Sequence, residues 1–231
     1  MPSAKDVGRA VARRLQPVTT TGPQAAGTML RRIVEVAIDG TGRFPSARTT
    51  AARHLEKHGG SVDAAIESLI DSHVRIGTAQ GFVTNLGGIV VAAVTIPANL
   101  AGVAVVQVRM IAAIAHLRGY DIDDRRVRTA LVLCLLGGEQ IGRRVASGRL
   151  PTTPLAIATA PVFDPNLDAR VSEAVVGDLL ARVGGKHLPL LITRRIPLLG
   201  GGVGAVVDGL ATYQIGQFAK GELVRRRALS N

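Results

Sequence analysis

Between Arg75 and Arg109 no residue carries a charge, a gap of 33 positions in a chain of 231. A stretch of that length has to be withdrawn from water into a protein core or into lipid, and about 20 apolar residues are enough to cross a bilayer as one helix. The residues themselves argue against a single straight span. Gly77, Gly81, Gly87, Gly88, Pro97 and Gly102 interrupt the stretch, and Asn85 and Asn99 lie inside it. Pro97 supplies no backbone N–H and disfavours helix at Ile96. The sequence therefore predicts two helices, 78–95 and 97–118, meeting at Pro97. They form a buried core hairpin, a re-entrant wedge or a hairpin span.

The rest of the chain supports helices throughout. Apolar residues make up 47% of it and aromatics only 3%, so a core must be built from Ala, Val, Ile and Leu, without the aromatic alternation on which β-sandwiches lean. Met29, Leu30, Ile33, Val34 and Ala37 recur with a helical period over 24–39, and Gly40 follows as a stop. A second helix is predicted over 45–58, closed by Gly59-Gly60. Ser61 then caps a third, with Asp63 in its first turn. The acidic turn Tyr120–Asp124 leads into a helix over 123–147. Pro151, Pro154, Pro161 and Pro165 mark a loop near 149–166. A helix over 168–183 is predicted to stop at Gly184-Gly185, and a last one runs over 203–229 into Arg225-Arg226-Arg227. The expected fold is an all-α multi-helix bundle with a glycine-rich apolar helical hairpin. It divides into a basic N-terminal segment, 1–58, and a helical domain, 59–231. Gly138 and Gly142, like Gly200 and Gly204, stand four apart, a spacing that lets backbones approach closely.

Charge narrows the range of partners. The net charge is +11, from 28 basic and 17 acidic residues, and it resides in the flanks: +6 over 1–60, zero over 61–120 and +5 over 121–231. Nucleic-acid binders gather charge on one patch or stripe and interleave it with stacking aromatics, so nucleic acid is disfavoured. A neutral apolar middle between positive flanks suits an anionic membrane surface. The single Cys134, within Leu131–Leu136, excludes a disulfide framework and fits a reducing compartment. Met1 to Leu15 has no apolar signal core, which places the protein in the cytoplasm.

His54 and His58 stand one helical turn apart, a zinc-like spacing, but Leu55 occupies the place of the zincin glutamate and no third ligand is evident, leaving an exposed helix with two histidines. Gly200–Gly204 lacks the Lys-Ser/Thr of a phosphate loop and the third glycine of a dinucleotide fingerprint. Asp121, Asp123 and Asp124 lie among Arg118, Arg125, Arg126 and Arg128, as a solvated, helix-capping charge cluster does. Cys134 has only apolar sequence neighbours, and burial would raise its pKa and make it inert. No G-x-S-x-G elbow occurs. The sequence predicts no enzyme, no metal and no cofactor.

Two blocks carry a resemblance. Gly81-Phe-Val-Thr-Asn-Leu-Gly-Gly88, Ile96-Pro97, Val108-Arg109, Ile111 to Ala115 and Gly119-Tyr-Asp121 resemble the central signature of the EcsC family. Arg195-Ile-Pro-Leu-Leu-Gly200, with Gly204, Asp208, Thr212, Gly216 and Ala219, is similar to its C-terminal signature. Many members carry Asp where this chain has Thr95, and Asn where it has Asp208. The resemblance covers roughly 60–220 and implies a helical, bacterial, membrane-linked protein with no assigned catalytic residue.

Together these readings predict a non-enzymatic protein, peripheral or partly inserted at the inner face of the cell membrane. It binds anionic lipid or a membrane protein partner. Ile89, Val90, Val94, Ile96, Pro97, Leu100, Leu198 and Leu199 would supply apolar contact, and Arg194, Arg195, Arg225, Arg226 and Arg227 would meet lipid phosphates. A soluble lipid or acyl-chain carrier and a cytoplasmic adaptor for a membrane transporter are the alternatives.

Overall fold

The computed structural model describes residues 23–41, 44–86, 98–193 and 197–224, with backbone alone over 23–26, 29, 77–86, 98–100, 182–193 and 197–207. The protein is an all-α multi-helix bundle. Its described helices are α1 (Pro23–Asp39), α2 (Ala47–Lys57), α3 (Val62–Leu86), α4 (Ala98–Leu117), α5 (Arg125–Cys134), α6 (Gly137–Ala146), α7 (Pro154–Ala158), α8 (Pro165–Thr193) and α9 (Pro197–Glu222).

Local chemistry sets most helix ends. Gly40 ends α1 at φ 75°, and a Cβ there would lie 2.5 Å from the Phe44 carbonyl oxygen, so only glycine fits. The Ser46 hydroxyl accepts from the Thr49 N–H at 3.0 Å and caps α2. Ser61 occupies the position before α3, its carbonyl accepting from the Ala65 N–H at 2.9 Å. Gly119, at φ 86°, closes α4, and the Asp124 carboxylate accepts from the Arg126 N–H at 2.8 Å to cap α5.

Helix α4 is the axis of the bundle. It packs against α1, α2, α3, α5 and α9, and from Ala101 to Ala115 every residue but Val103 is buried. The most extensive helix pair is α3 with α9. They run antiparallel: Gly216 lies against Ile70, while one turn on Lys220 pairs with Glu67, whose carboxylate also accepts from Gln217 at 3.2 Å. One hydrophobic core extends from Leu30 through Ala51, Ile66 and Leu133 to Leu223, and so continues across residue 58, where the sequence suggested a boundary.

Several predicted elements differ from those observed. A separate helix from 78 was expected, yet α3 runs unbroken through Gly77 and Gly81 to Leu86. Interior glycines cost only about 1 kcal/mol each, which packing along α9 outweighs. The predicted 123–147 helix is two helices, because Gly137 takes φ 74° after the Leu135-Leu136 turn. The proline-rich loop contains α7, which starts at Pro154 and whose Leu155 N–H donates to Glu222 Oε1 at 3.0 Å. Helix α8 passes through Gly184-Gly185, and Pro189, to Thr193. Helix α9 begins six residues earlier than predicted, at Pro197, a residue suited to a first helical position, and ends at Glu222. Past that end the Tyr120 hydroxyl donates to the Val224 carbonyl at 2.9 Å. Arg225, Arg226 and Arg227 lie outside the described residues.

Candidate functional site

The most unusual chemistry is buried where α2, α3 and α4 meet. Arg109 retains 4% of its surface and His73 1%. Arg109 Nε donates to His73 Nε2 at 3.2 Å, and the guanidinium lies over the Phe44 ring, 3.8 Å from its centroid. His73 Nδ1 donates to the Leu69 carbonyl at 2.8 Å. These two partners fix the tautomer, because a carbonyl only accepts and an arginine Nε–H only donates. His73 is thus a neutral imidazole with its proton on Nδ1. Burial, then the Arg109 charge, brings its pKa down to about 3.

The polar chain continues outward. Ser72 Oγ donates to the Leu69 carbonyl at 2.8 Å and sits 3.4 Å from His54 Nε2, while His54 Nδ1 lies 3.1 Å from Ser68 Oγ. With its proton given to Leu69, Ser72 accepts from His54 Nε2, and His54 Nδ1 accepts from Ser68. His54 was expected on an exposed helix and is instead half-buried. Its pKa is lowered by burial, then by Lys57 and His58. His58 is the C-cap of α2, its N–H donating to the His54 carbonyl at 3.2 Å, one turn on from His54.

Arg109 has no carboxylate partner among the described residues. Of the 17 acidic residues only Asp6 lies outside them. Asp123 pairs with Arg48 and Arg128, Asp63 with Arg118 at 3.0 Å, and Asp124 with Arg126. Burial alone brings the Arg109 pKa down to about 10, which leaves the group charged at neutral pH. A second buried polar contact, Gln107 Nε2 to Thr212 Oγ1 at 3.2 Å, links α4 to α9, and Thr212 donates in turn to the Asp208 carbonyl at 2.8 Å.

The surface of α9 is different. Leu210 is 56% exposed and Tyr213 45%, and Gln214 and Gly221 are exposed beside them. None of the fully exposed residues of α9 among those described is charged. Gly138 receives the Phe218 ring, because a Cβ there would lie 2.7 Å from Cδ2, whereas Gly142 has nothing within 4 Å. Only one member of that pair is a close approach. Cys134 is buried and its thiol pKa is pushed up by burial and then by Glu222. Among the described residues no group of three or more His, Cys, Asp or Glu is placed to hold a metal ion, and no helix is long and apolar enough to cross a membrane.

Ile89, Val90, Val94, Ile96, Pro97, Arg194, Arg195, Arg225, Arg226 and Arg227 lie outside the described residues, as do the side chains of Leu100, Leu198 and Leu199. His73 and the exposed Leu210–Tyr213 pair were not singled out from sequence. A signal for the buried site existed: Arg109 is the one charged residue in the otherwise apolar and neutral α4. No family model matches the chain, and comparisons with curated proteins and with solved structures give no match.

Proposed function

We propose that this is a non-enzymatic, EcsC-like protein that associates with anionic lipid at the cytoplasmic face of a membrane, as a peripheral or partly inserted helical bundle. The observation that carries this reading is the exposed Leu210–Tyr213 pair of α9, one turn apart, in a chain of net charge +11. Apolar contact and electrostatic attraction to anionic headgroups reinforce each other at an interface. Arg194, Arg195 and Arg225–Arg227 are the cations assigned to lipid phosphate. The charge-free segment around Ile89–Pro97, with Leu100, Leu198 and Leu199, supplies further apolar contact. The cavity of about 100 Å³ lined by Arg126, Thr129, Ile157 and Phe163 is too small for an acyl chain, so a carrier function gains no support from it.

Vesicle flotation tests the reading. The full chain should float with phosphatidylglycerol vesicles and remain unbound with phosphatidylcholine alone. Each charge near the surface contributes about 1 kcal/mol, so the triple change R225Q/R226Q/R227Q should weaken partitioning roughly a hundredfold. The double change L210D/Y213D should weaken it as well. Equal flotation on both lipids, or no flotation on either, would reject the proposal.

A further inference from the structure

Helix α2 is held to the bundle by a small face. Its buried residues are Ala47, Thr50 and Ala51, and the same helical stripe runs on to His54 and then to His58. Two alanines and a threonine bury little apolar area, so the hold is weak. Beyond His58 the chain turns through Gly59 and Gly60, at φ 59° and 84°, with open space around both. An element with few buried apolar contacts is one that opens ahead of the rest of a fold.

The polar end of the stripe meets α3. His54 stands against Ser68 and Ser72, and its neutral ring accepts from Ser68 at Nδ1. A proton added at Nδ1 meets the proton of that hydroxyl, so it reverses the bond and sets a charge into a half-buried contact. The surrounding groups do not offset that charge. On its own helix His54 is faced by Lys57 and His58. From α3 it is faced by the two serines and the neutral His73, and α4 stands behind with Arg109 and with His116 beside Arg48. The third neighbour, α1, carries its charged residues Arg31, Arg32, Glu35 and Asp39 exposed. The carboxylates nearest in sequence, Glu56 and Asp71, are exposed as well.

We infer that α2 is an acid-released helix: protonation of His54 undocks Ala47–Lys57 from α3 and α4 while the rest of the bundle stays folded. The opening frees the imidazole and uncovers the Ser68–Ser72 edge of α3. The device does not rest on membrane association.

Amide hydrogen exchange of the full chain, read by mass spectrometry and normalised to the intrinsic rate at each pH, follows each helix separately. From pH 7 to 5.5 the opening of residues 50–57 should increase several-fold. The ceiling is about eightfold, the gain in proton binding of one imidazole returned to its ordinary pKa of 6.5. At pH 5.5 these amides should exchange at least about tenfold faster than those of α4 between Ala104 and Ala115. His54→Gln, which cannot take up the proton, should remove most of the increase and leave α4 protected. Equal exchange in α2 and α4 at pH 5.5 would show that α2 leaves only with the whole fold and would overturn the inference. An undiminished pH response in His54→Gln would overturn it too. Should that variant release α2 at every pH, the parent decides, and an opening of α2 unchanged between pH 7 and 5.5 rejects the device.

Discussion

Helices α4 and α9 are both largely apolar and poor in charge, α4 rich in Ala and Val and α9 in Gly, yet the fold uses them in opposite ways. Helix α4 is enclosed by five neighbours and carries its polar groups, Gln107 and Arg109, inward. Helix α9 buries one side against α3 and α4 and leaves Leu210 and Tyr213 to solvent. Apolar composition thus marks a segment as one to be hidden without saying what hides it. A helix that is apolar all round is core, whereas one with an exposed apolar strip has a face left over.

The widest separation between the two helices should appear in truncation. Ile111 on α4 is fully buried, and Ile111→Ala should cost about 2–5 kcal/mol, through lost transfer energy and the cavity left behind. Leu210→Ala on α9 should stay within about 0.5 kcal/mol. Urea unfolding of both variants checks the contrast. A comparable loss in Leu210→Ala would mean that the α9 face is covered in solution.

Acid should reveal the polar interior of α4 next. His73, faced by Arg109 and His54, has a folded pKa of about 3 against an ordinary 6.5. Between those values the unfolded chain binds a proton that the folded chain refuses. Stability therefore falls as pH drops from about 6.5 toward 3, by about 1.4 kcal/mol per pH unit. His54 and His116, also lowered by burial, act in the same sense. Denaturant midpoints at a series of pH values should show this slope, and His73→Gln should flatten most of it. An unchanged slope in that variant would assign the acid sensitivity to other groups.

Glycines then sharpen the packing side. A Cβ at Gly216 would stand 3.0 Å from Ile70 and 3.1 Å from Met110, where α9 meets α3 and α4, so Gly216→Ala should cost about 1–2 kcal/mol. Gly142, in the middle of α6 with open space around it, should behave oppositely, and Gly142→Ala should stabilise by roughly 0.5–1 kcal/mol. Thermal melts of the two variants should move in opposite directions.

What the sequence made legible follows the range over which each signal acts. The stops at Gly40, Gly59-Gly60 and Gly119 and the cap at Asp124 are local chemistry, and they stand where the residues placed them. Gly77, Gly81 and Gly184-Gly185 looked like the same signal and were not, because a glycine inside a helix costs only about 1 kcal/mol and does not by itself end it. The meeting of His73 with Arg109 spans 36 positions, and that of Arg109 with Phe44 spans 65. No periodicity encodes such encounters. The lone charge in an apolar helix announced that something had to accommodate Arg109, but not what.

The smallest difference concerns the one ionic tie between α9 and α3 that is drawn from the described surface. Lys220 pairs with Glu67, and both side chains are partly exposed, at 31% and 46%. The Lys220 hydrogen bond, with help from Gln217, holds the Glu67 pKa below its ordinary value of 4.5. Its contribution is present above that ordinary value and disappears as pH falls through the lowered one. The window lies below most of the His73 range, so measurements near pH 5.5 sense the buried imidazole and not this carboxylate. Exposed pairs contribute about 0.2–1 kcal/mol and are screened by salt. Glu67→Gln should therefore cost less than about 1 kcal/mol at low ionic strength and nearly nothing in 1 M NaCl, as measured by urea midpoints. A larger, salt-independent loss would show that Glu67 is buried by a neighbour in solution, and the surface of α9 would then resemble α4 more closely than its exposed residues indicate.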